Sequence, residues 1–217
     1  MGVNGALYGL CYHISTKTKD DALAYFPAFL KLDDRKVLLV GGGKIAAEKL
    51  EKLLDFTRDV TIVAPKISEP VKKAARENHL TLHSRPFEMN DLKGHFLVIV
   101  AVDDLSLQKS IYDACQDRHI LCNSVDSVDY CDFIFPSYTQ KGDLTVAFST
   151  SGVSPSVAKY LRLAIERSIP DSIADFLEEM KRLRASLPKG KARMKLLDAK
   201  AKAYIERIFH KDMRDVQ

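Results

Sequence analysis

The chain has 217 residues, 46% of them hydrophobic and 29% charged, enough to bury one good core and carry a smaller appendage. Its net charge of +4 is too slight to argue for nucleic acid, although it suits an anionic small molecule. No apolar run approaches a membrane span, no signal peptide is legible, and four irregularly spaced cysteines make no disulfide framework, so a reducing cytoplasm is expected.

Residues 1–22 are rich in Gly, Ser, Thr and Lys without any sustained period, the composition of a flexible tail or a loosely docked extension. From Tyr25, the stretch YFPAFLKLDDR is an apolar segment leading through a polar turn into the first strand. Lys36–Val40 is a short apolar run of the buried parallel kind, and it stops at Gly41-Gly42-Gly43. Ala46, Leu50, Leu53 and Leu54 then recur at helical spacing. Taken as G-x-G-x-x-A, the loop puts Gly41 at a tight turn and Gly43 where backbone must approach a pyrophosphate. Ala46 falls where a small residue lets helix and strand pack closely. The following helix points its N-terminal N–H groups and positive dipole end at the phosphates. A tight strand-to-helix turn without any ligand is the plainer alternative.

The second strand, Val60–Val63, carries no acid at its carboxyl end, where a ribose-binding Asp or Glu is usual. Motif physics therefore leaves NAD and NADP open, and Lys66 leaves room for a phosphate. A helix around Glu69–Asn78, a strand at Leu80–His83, a short or absent helix at Met89–Gly94 and a strand at Phe96–Val102 follow. The last is the most apolar run in the chain and is expected at the centre of the sheet. A helix from Leu105 to about Asp117 and a strand at Ile120–Asn123 complete an alternation that means a parallel sheet with right-handed crossovers. The fold class is α/β, of Rossmann type.

The pattern then changes. Phe133–Ser137 and Leu144–Ser149 read as the strands of a hairpin, joined by Tyr138–Asp143, standing apart from the sheet or extending it as an antiparallel edge. Pro155 opens a helix with the stripe Val157, Tyr160, Leu161, Ala164 and Ile165, which Pro170 ends. A second helix carries Ile173, Phe176, Leu177, Met180 and Leu183. After Pro188-Lys189-Gly190, a third carries Met194, Leu197, Ala201, Tyr204, Ile205 and Ile208, and His210–Gln217 look frayed.

Ligands of open parallel sheets lie outside the carboxyl ends of the strands. Asp103-Asp104 falls there; one of the two is expected to cap the helix at Leu105, and Asp103 is counted with the cofactor positions. Asn123-Ser124-Val125-Asp126 also falls there. Asp126 is either an ordinary turn residue or a carboxylate placed to take or steer a proton as hydride leaves. The hydroxyl-rich loop Ser149–Pro155 is a plain N-cap at Ser154, an anion pocket for substrate carboxylates, or both. Cys115, His119, Cys122 and Cys131 match no structural zinc spacing, and no metal site is expected.

These residues resemble a known family. YFPAFL (Tyr25–Leu30), VLLVGGGKIAAEK, VTIVAP, VIVAVDD (Val98–Asp104), ILCNSVD (Ile120–Asp126), FIFPS (Phe133–Ser137) and FSTSGVSPSVAKYLR (Phe148–Arg162) are similar, in strict order, to precorrin-2 dehydrogenase, the N-terminal module of siroheme synthases. The resemblance implies oxidation of precorrin-2 to sirohydrochlorin with NAD, and in some members insertion of ferrous iron as a second substrate. It places cofactor contacts at Gly41, Gly42, Gly43, Lys44, Ile45, Pro65 and Lys66, makes the missing ribose acid a family trait, and puts the functional aspartate at Asp126. Asn123, Thr150, Ser151 and Ser154 are the expected substrate contacts. It also implies an intertwined homodimer built through the hairpin and the Pro155 helix.

The expected division is an extension (1–22), an NAD-binding Rossmann domain (23–135), a dimerisation region (136–168) and a small C-terminal helical module (169–217). The chain departs from the family pattern at Ser151-Gly152, where the family has Gly-Gly, and in its first 22 residues. No methyltransferase domain follows, so the chain is not expected to make precorrin-2 itself. Another small oxidoreductase on the same scaffold, or a non-catalytic NAD-binding subunit that gates transport, are the competing expectations.

Overall fold

The computed structural model describes residues 25–212; the expectations for residues 1–22 and for the last five residues lie outside them. Five short strands form one parallel sheet: β1 (Val37–Val40), β2 (Val60–Val63), β3 (Thr81–His83), β4 (Leu97–Val100) and β5 (Leu121–Ser124). Their order is β3-β2-β1-β4-β5, a Rossmann-type arrangement in which the chain winds outward from β1 in both directions. The crossovers are α1 (Lys44–Leu54), α2 (Glu69–Glu77), a single 3-10 turn at Met89–Leu92, and α3 (Leu105–Gln116).

Every residue of β1 and β4 is buried, because helices cover both faces of the sheet. Side chains alternate between two cores, as the strand pleat requires. Val37, Leu39, Ile62 and Ile99 meet Ala46, Leu50 and Leu53 of α1 and Val71 of α2. Leu38, Val40, Val98 and Val100 face the other way, onto Ile111 and Cys115 of α3. The middle strand is β1, with β4 beside it, so the expectation that Phe96–Val102 is central is corrected by one place. Two strands buried on both faces read alike as continuous apolar runs, and only the pairing order separates them.

A separate two-stranded antiparallel hairpin, β6 (Ser137–Lys141) and β7 (Leu144–Phe148), turns through Gly142-Asp143 alone. Its first strand begins where the sequence reading ended it. Phe133 and Phe135, which look strand-like, are instead packed against the α1–α2 core as the chain leaves the sheet. The helix α4 (Pro155–Ser168) lies on the hairpin with Ala158 buried, so the stripe Val157, Tyr160, Leu161 and Ala164 is left exposed. Two further helices, α5 (Ser172–Ser186) and α6 (Lys191–Asp212), pair through Phe176 stacked on Tyr204, ring centroids 4.0 Å apart. The helix continues to Asp212, past the point at which fraying is expected from the sequence.

Lys141 joins the hairpin to this module, its Nζ donating to the Ile169 carbonyl (2.6 Å) and to Asp171 (2.8 Å).

Candidate functional site

The three glycines after β1 are there for different reasons. Gly41 has φ +129, its N–H donates to the Val63 carbonyl at 2.9 Å, and a Cβ would lie 2.2 Å from the Ala101 carbonyl oxygen. At Gly42 a Cβ would lie 2.3 Å from the Lys66 carbonyl oxygen, which brings Pro65-Lys66, the exposed end of β2, against the loop. Gly43 differs: its φ of −86 suits any residue, and a Cβ there would meet nothing within 4 Å. Nothing in the described chain requires glycine at that position, and its open face is where a bound group would approach.

Gly43 is also the N-cap of α1. It offers no side chain to the first-turn N–H groups, and no acid stands in that turn. Asp104 and Ser154 cap α3 and α4 with their own oxygens. The first turn of α1, Lys44-Ile45-Ala46, therefore keeps its donors and its positive dipole end for an anion. Open space, uncapped donors and Ala46 fully buried against the strand together fit the pyrophosphate of a dinucleotide.

The two aspartates after β4 divide their duties. Asp104 Oδ1 accepts from the N–H groups of Ser106 (2.9 Å) and Leu107 (3.0 Å) and from the Ser106 hydroxyl (2.7 Å). The Ser106 hydroxyl, with the backbone donors, holds this carboxyl below the usual range. Asp103 is left exposed on a cavity of about 280 Å³, with Ile45, Ala101, Gln108, Asp126 and Ser127 also in its walls. That cavity stands at the carboxyl ends of β1, β4 and β5, where the strand order reverses direction. The glycine-loop helix, the end of β4 and the turn after β5 thus meet in one place.

Asp126 sits in the turn after β5 with φ +62, a left-handed conformation that Asp tolerates better than most side chains. The turn is held from several directions. Val125 N–H donates to the Val100 carbonyl at 2.9 Å. Ser127 Oγ donates to Gln108 Oε1, while Gln108 Nε2 donates to the Val102 carbonyl at 2.6 Å, which spans the cavity floor. The Cys131 thiol donates to the carbonyls of Ser124 (3.1 Å) and Ser127 (3.3 Å). Asp132 accepts from Cys122 N–H at 2.8 Å and strips the returning chain onto the edge of β5. The Asp126 carboxylate itself makes no hydrogen bond among the described residues and is exposed.

None of the four expected substrate contacts lines that cavity within one chain. Asn123 is 6% exposed, and its amide donates to the Phe133 carbonyl at 2.8 Å. Lying inside the sheet edge, it clamps the segment after Cys131 and does not face the cavity. The hydroxyl loop joins the hairpin to α4. None of Thr150, Ser151 and Ser154 is in the walls of that cavity. Ser154 Oγ accepts from Val157 N–H (3.3 Å) and Thr150 Oγ1 accepts from Ser154 N–H (3.0 Å). Ser151 has φ +51, so the position that departs from Gly-Gly is a serine held in a conformation suited to glycine.

Cys115 and Cys122 are buried core thiols, while His119 is exposed at the end of α3. Among the described residues no three His, Cys, Asp or Glu side chains group to hold a metal ion.

Sequence reasoning passed over Gln108, Ser127 and Lys49. The first two carry no local signal, since their partners are distant in the chain. Lys49 stands one helical turn after Ile45, on the same face, and that spacing would have been enough to find it. Its Nζ lies 4.5 Å from the Phe135 ring centroid. Burial, and next the charge of Lys52, lower its basicity, against the opposing fields of Asp126, Cys131 and Glu48.

Residues 28–137, half of the chain, match the family described as "Putative NAD(P)-binding". The siroheme synthase of Pseudoalteromonas atlantica is 38% identical over 152 residues, covering 70% of this chain and 33% of that protein. The siroheme synthase of Methylococcus capsulatus is 37% identical over 173 residues, covering 78% of this chain and 36% of that protein. The chain thus spans about a third of the length of these curated relatives. Among solved structures, SirC, a precorrin-2 dehydrogenase, superposes with a TM-score of 0.66 at 25% identity, covering 86% of this chain and all of that one.

Proposed function

This chain belongs to the NAD(P)-binding family, alongside the siroheme synthases and SirC, and from that premise we propose that it oxidises precorrin-2 to sirohydrochlorin with NAD. The observation that carries the reading is the single cavity shared by Ile45 of the glycine-loop helix, Asp103 and Asp126. Gly41 and Gly42 shape the loop, and Gly43, Lys44 and Ile45 present backbone donors to the pyrophosphate. Pro65 and Lys66 bound the adenosine side. NAD, when bound there, supplies the two-electron acceptor.

The chain's own residues do the rest. Oxidation removes one hydride and one proton from the tetrapyrrole, so each turnover yields sirohydrochlorin, NADH and a proton. The exposed Asp126 carboxylate takes the proton or steers it to solvent, and its rigid turn keeps it aimed into the cavity. Positioning of this kind supplies much of the acceleration in such a reaction. Asp103, beside it, orients the cofactor side of the cleft.

The substrate is a broad, multiply carboxylated ring, larger than a 280 Å³ cavity, so the cleft is completed from outside one chain's Rossmann domain. A homodimer meets that need. The exposed stripe Val157, Tyr160 and Leu161, on a helix whose other face is already packed on the hairpin, supports it. In the dimer the hydroxyl loop Thr150, Ser151 and Ser154 would serve the partner's cleft. The corresponding division is a Rossmann domain at 23–135, a dimerisation region at 136–168 and a helical module at 169–217. Ferrous iron is read as a second substrate, inserted into sirohydrochlorin in the same cleft. Among the described residues no helix is long and apolar enough to cross a membrane, and the free thiols of Cys115, Cys122 and Cys131 support a reducing cytoplasm.

The test is spectrophotometry of the purified protein under anaerobic conditions with precorrin-2 and NAD. Sirohydrochlorin and NADH should appear together in equal amounts, and no NADH formation would reject the reading.

A further inference from the structure

On the reading that the ligand is a carboxylated tetrapyrrole, we propose that Lys49 is a substrate-binding residue, its ammonium group taking one of the ring's carboxylates beside Asp126. The group is held in an unusual way for a helix lysine. It is half-buried, with Nζ parked 4.5 Å over the face of Phe135 and not extended into solvent. Phe135 is fixed in turn, being packed against the α1–α2 core and tilted against Phe133 at 6.0 Å. Phe133 is anchored through its carbonyl by the buried Asn123. The lysine is therefore pre-positioned by a chain of packed groups that begins in β5.

Its donors remain available. Among the described residues, no carboxylate lies within ion-pair distance of Lys49 Nζ and no acceptor takes any of its three N–H groups. Lys44 and Lys52 of the same helix also make no ion pair among the described residues, but Lys49 alone of the three is half-buried with its ammonium over a ring. Holding an ammonium partly out of water without a partner costs stability. The apparent waste is recovered if a ligand carboxylate completes the pair. Ile45, one turn earlier on the same helix face, lines the Asp126 cavity, so a ring seated against Ile45 and Asp126 brings its rim toward Lys49.

Asp126 alone does not account for the arrangement, since it and Lys49 feel each other's charge without forming an ion pair. The groups facing Lys49 are Glu48 and Lys52 on its own helix, Asp126 on the turn after β5, and Cys131 on the returning segment. Burial first, and then Lys52, bring its titration below the ordinary lysine range. Affinity for the ring should therefore begin to fall at a lower pH than a free lysine would dictate.

The experiment measures binding of sirohydrochlorin, the product, to the full chain by fluorescence quenching, with NAD binding followed separately by calorimetry. A charge-assisted hydrogen bond supports an expected loss of roughly tenfold or more in Lys49→Met. NAD affinity should be unchanged. Lys49→Arg should keep most of the affinity and remove the alkaline fall, because guanidinium stays charged. Wild-type binding with undiminished affinity in Lys49→Met would overturn the anchor and leave the proposed activity standing. Equal losses in both variants, with a lowered melting temperature, would also overturn it, assigning Lys49 a packing role. Failure of the wild-type protein to bind sirohydrochlorin would reject the tetrapyrrole reading, and the anchor with it.

Discussion

Gly43 and Asp126 are the two proposed site residues at which a single substitution should separate cofactor binding from chemistry. Gly43 has open space beyond it and an ordinary φ, so Gly43→Asp is expected to fold and to place a negative charge where a phosphate must sit. Calorimetric NAD binding should vanish while the circular dichroism spectrum stays near wild type; retained affinity would remove the loop from the site. Gly41 offers the contrasting case, since a Cβ 2.2 Å from the Ala101 carbonyl oxygen would disturb the sheet itself. Asp126→Asn keeps the side chain's shape, and Asn accepts the left-handed φ of +62, so the turn should survive. If Asp126 is the base, kcat should fall by about a hundredfold or more, with NAD affinity intact. A loss confined to KM would make it an orienting group, and wild-type kinetics would return it to a plain turn residue.

At the level of elements, the Rossmann sheet and the hairpin are joined by contacts of different strength. The sheet is zipped by parallel pairing and two apolar cores, whereas the hairpin is tied to the C-terminal helices by a few defined contacts. Gly142, in the hairpin turn, has φ +58, and a Cβ there would lie 2.8 Å from the Ala174 Cβ of α5. Gly142→Ala combines a left-handed alanine with that clash, and is expected to destabilise by about 1–2 kcal/mol. The melting temperature should drop, with NAD affinity unaffected because the glycine loop lies on another unit. A melting curve that does not move would show that α5 is docked more loosely on the hairpin than its geometry implies. The same element-scale reasoning accounts for α4. With Ala158 buried against the hairpin, its apolar stripe is left uncovered among the described residues.

For the whole molecule, that stripe carries the assembly prediction. Light scattering coupled to size exclusion should show a dimer at micromolar concentration, and Leu161→Glu should shift it toward monomer. Leu161 is 46% exposed, so the substitution puts a charge into the expected interface without touching a core. In the monomeric variant NAD binding should persist, since every proposed cofactor position belongs to one chain. Dehydrogenase turnover should be lost if the cleft needs the partner's hydroxyl loop. A wild-type monomer would refute the dimeric architecture, and full activity in a monomeric variant would refute the shared cleft.

Most of the Rossmann half was legible from local pattern. Apolar runs such as Val37–Val40, the glycine triplet and the helical spacing of Ala46, Leu50 and Leu53 are each encoded within a few residues, as is the start of α4 at Ser154-Pro155 beyond that half. Which strand is central and where the hairpin begins were not, because each depends on a partner elsewhere in the chain. Asn123 looked like a site residue by its place at a strand end, and only the position of the Phe133 carbonyl turned it inward. The ring over which the Lys49 ammonium lies belongs to Phe135, 86 positions on in the chain, at 4.5 Å, a contact that only the fold creates. By itself the sequence determined the sheet, its direction and the dinucleotide loop, since backbone periodicity and turn chemistry are short-range. Tertiary structure alone decided which polar side chains face the cavity, since a hydrogen bond or a ring contact forms only where folding brings distant residues together.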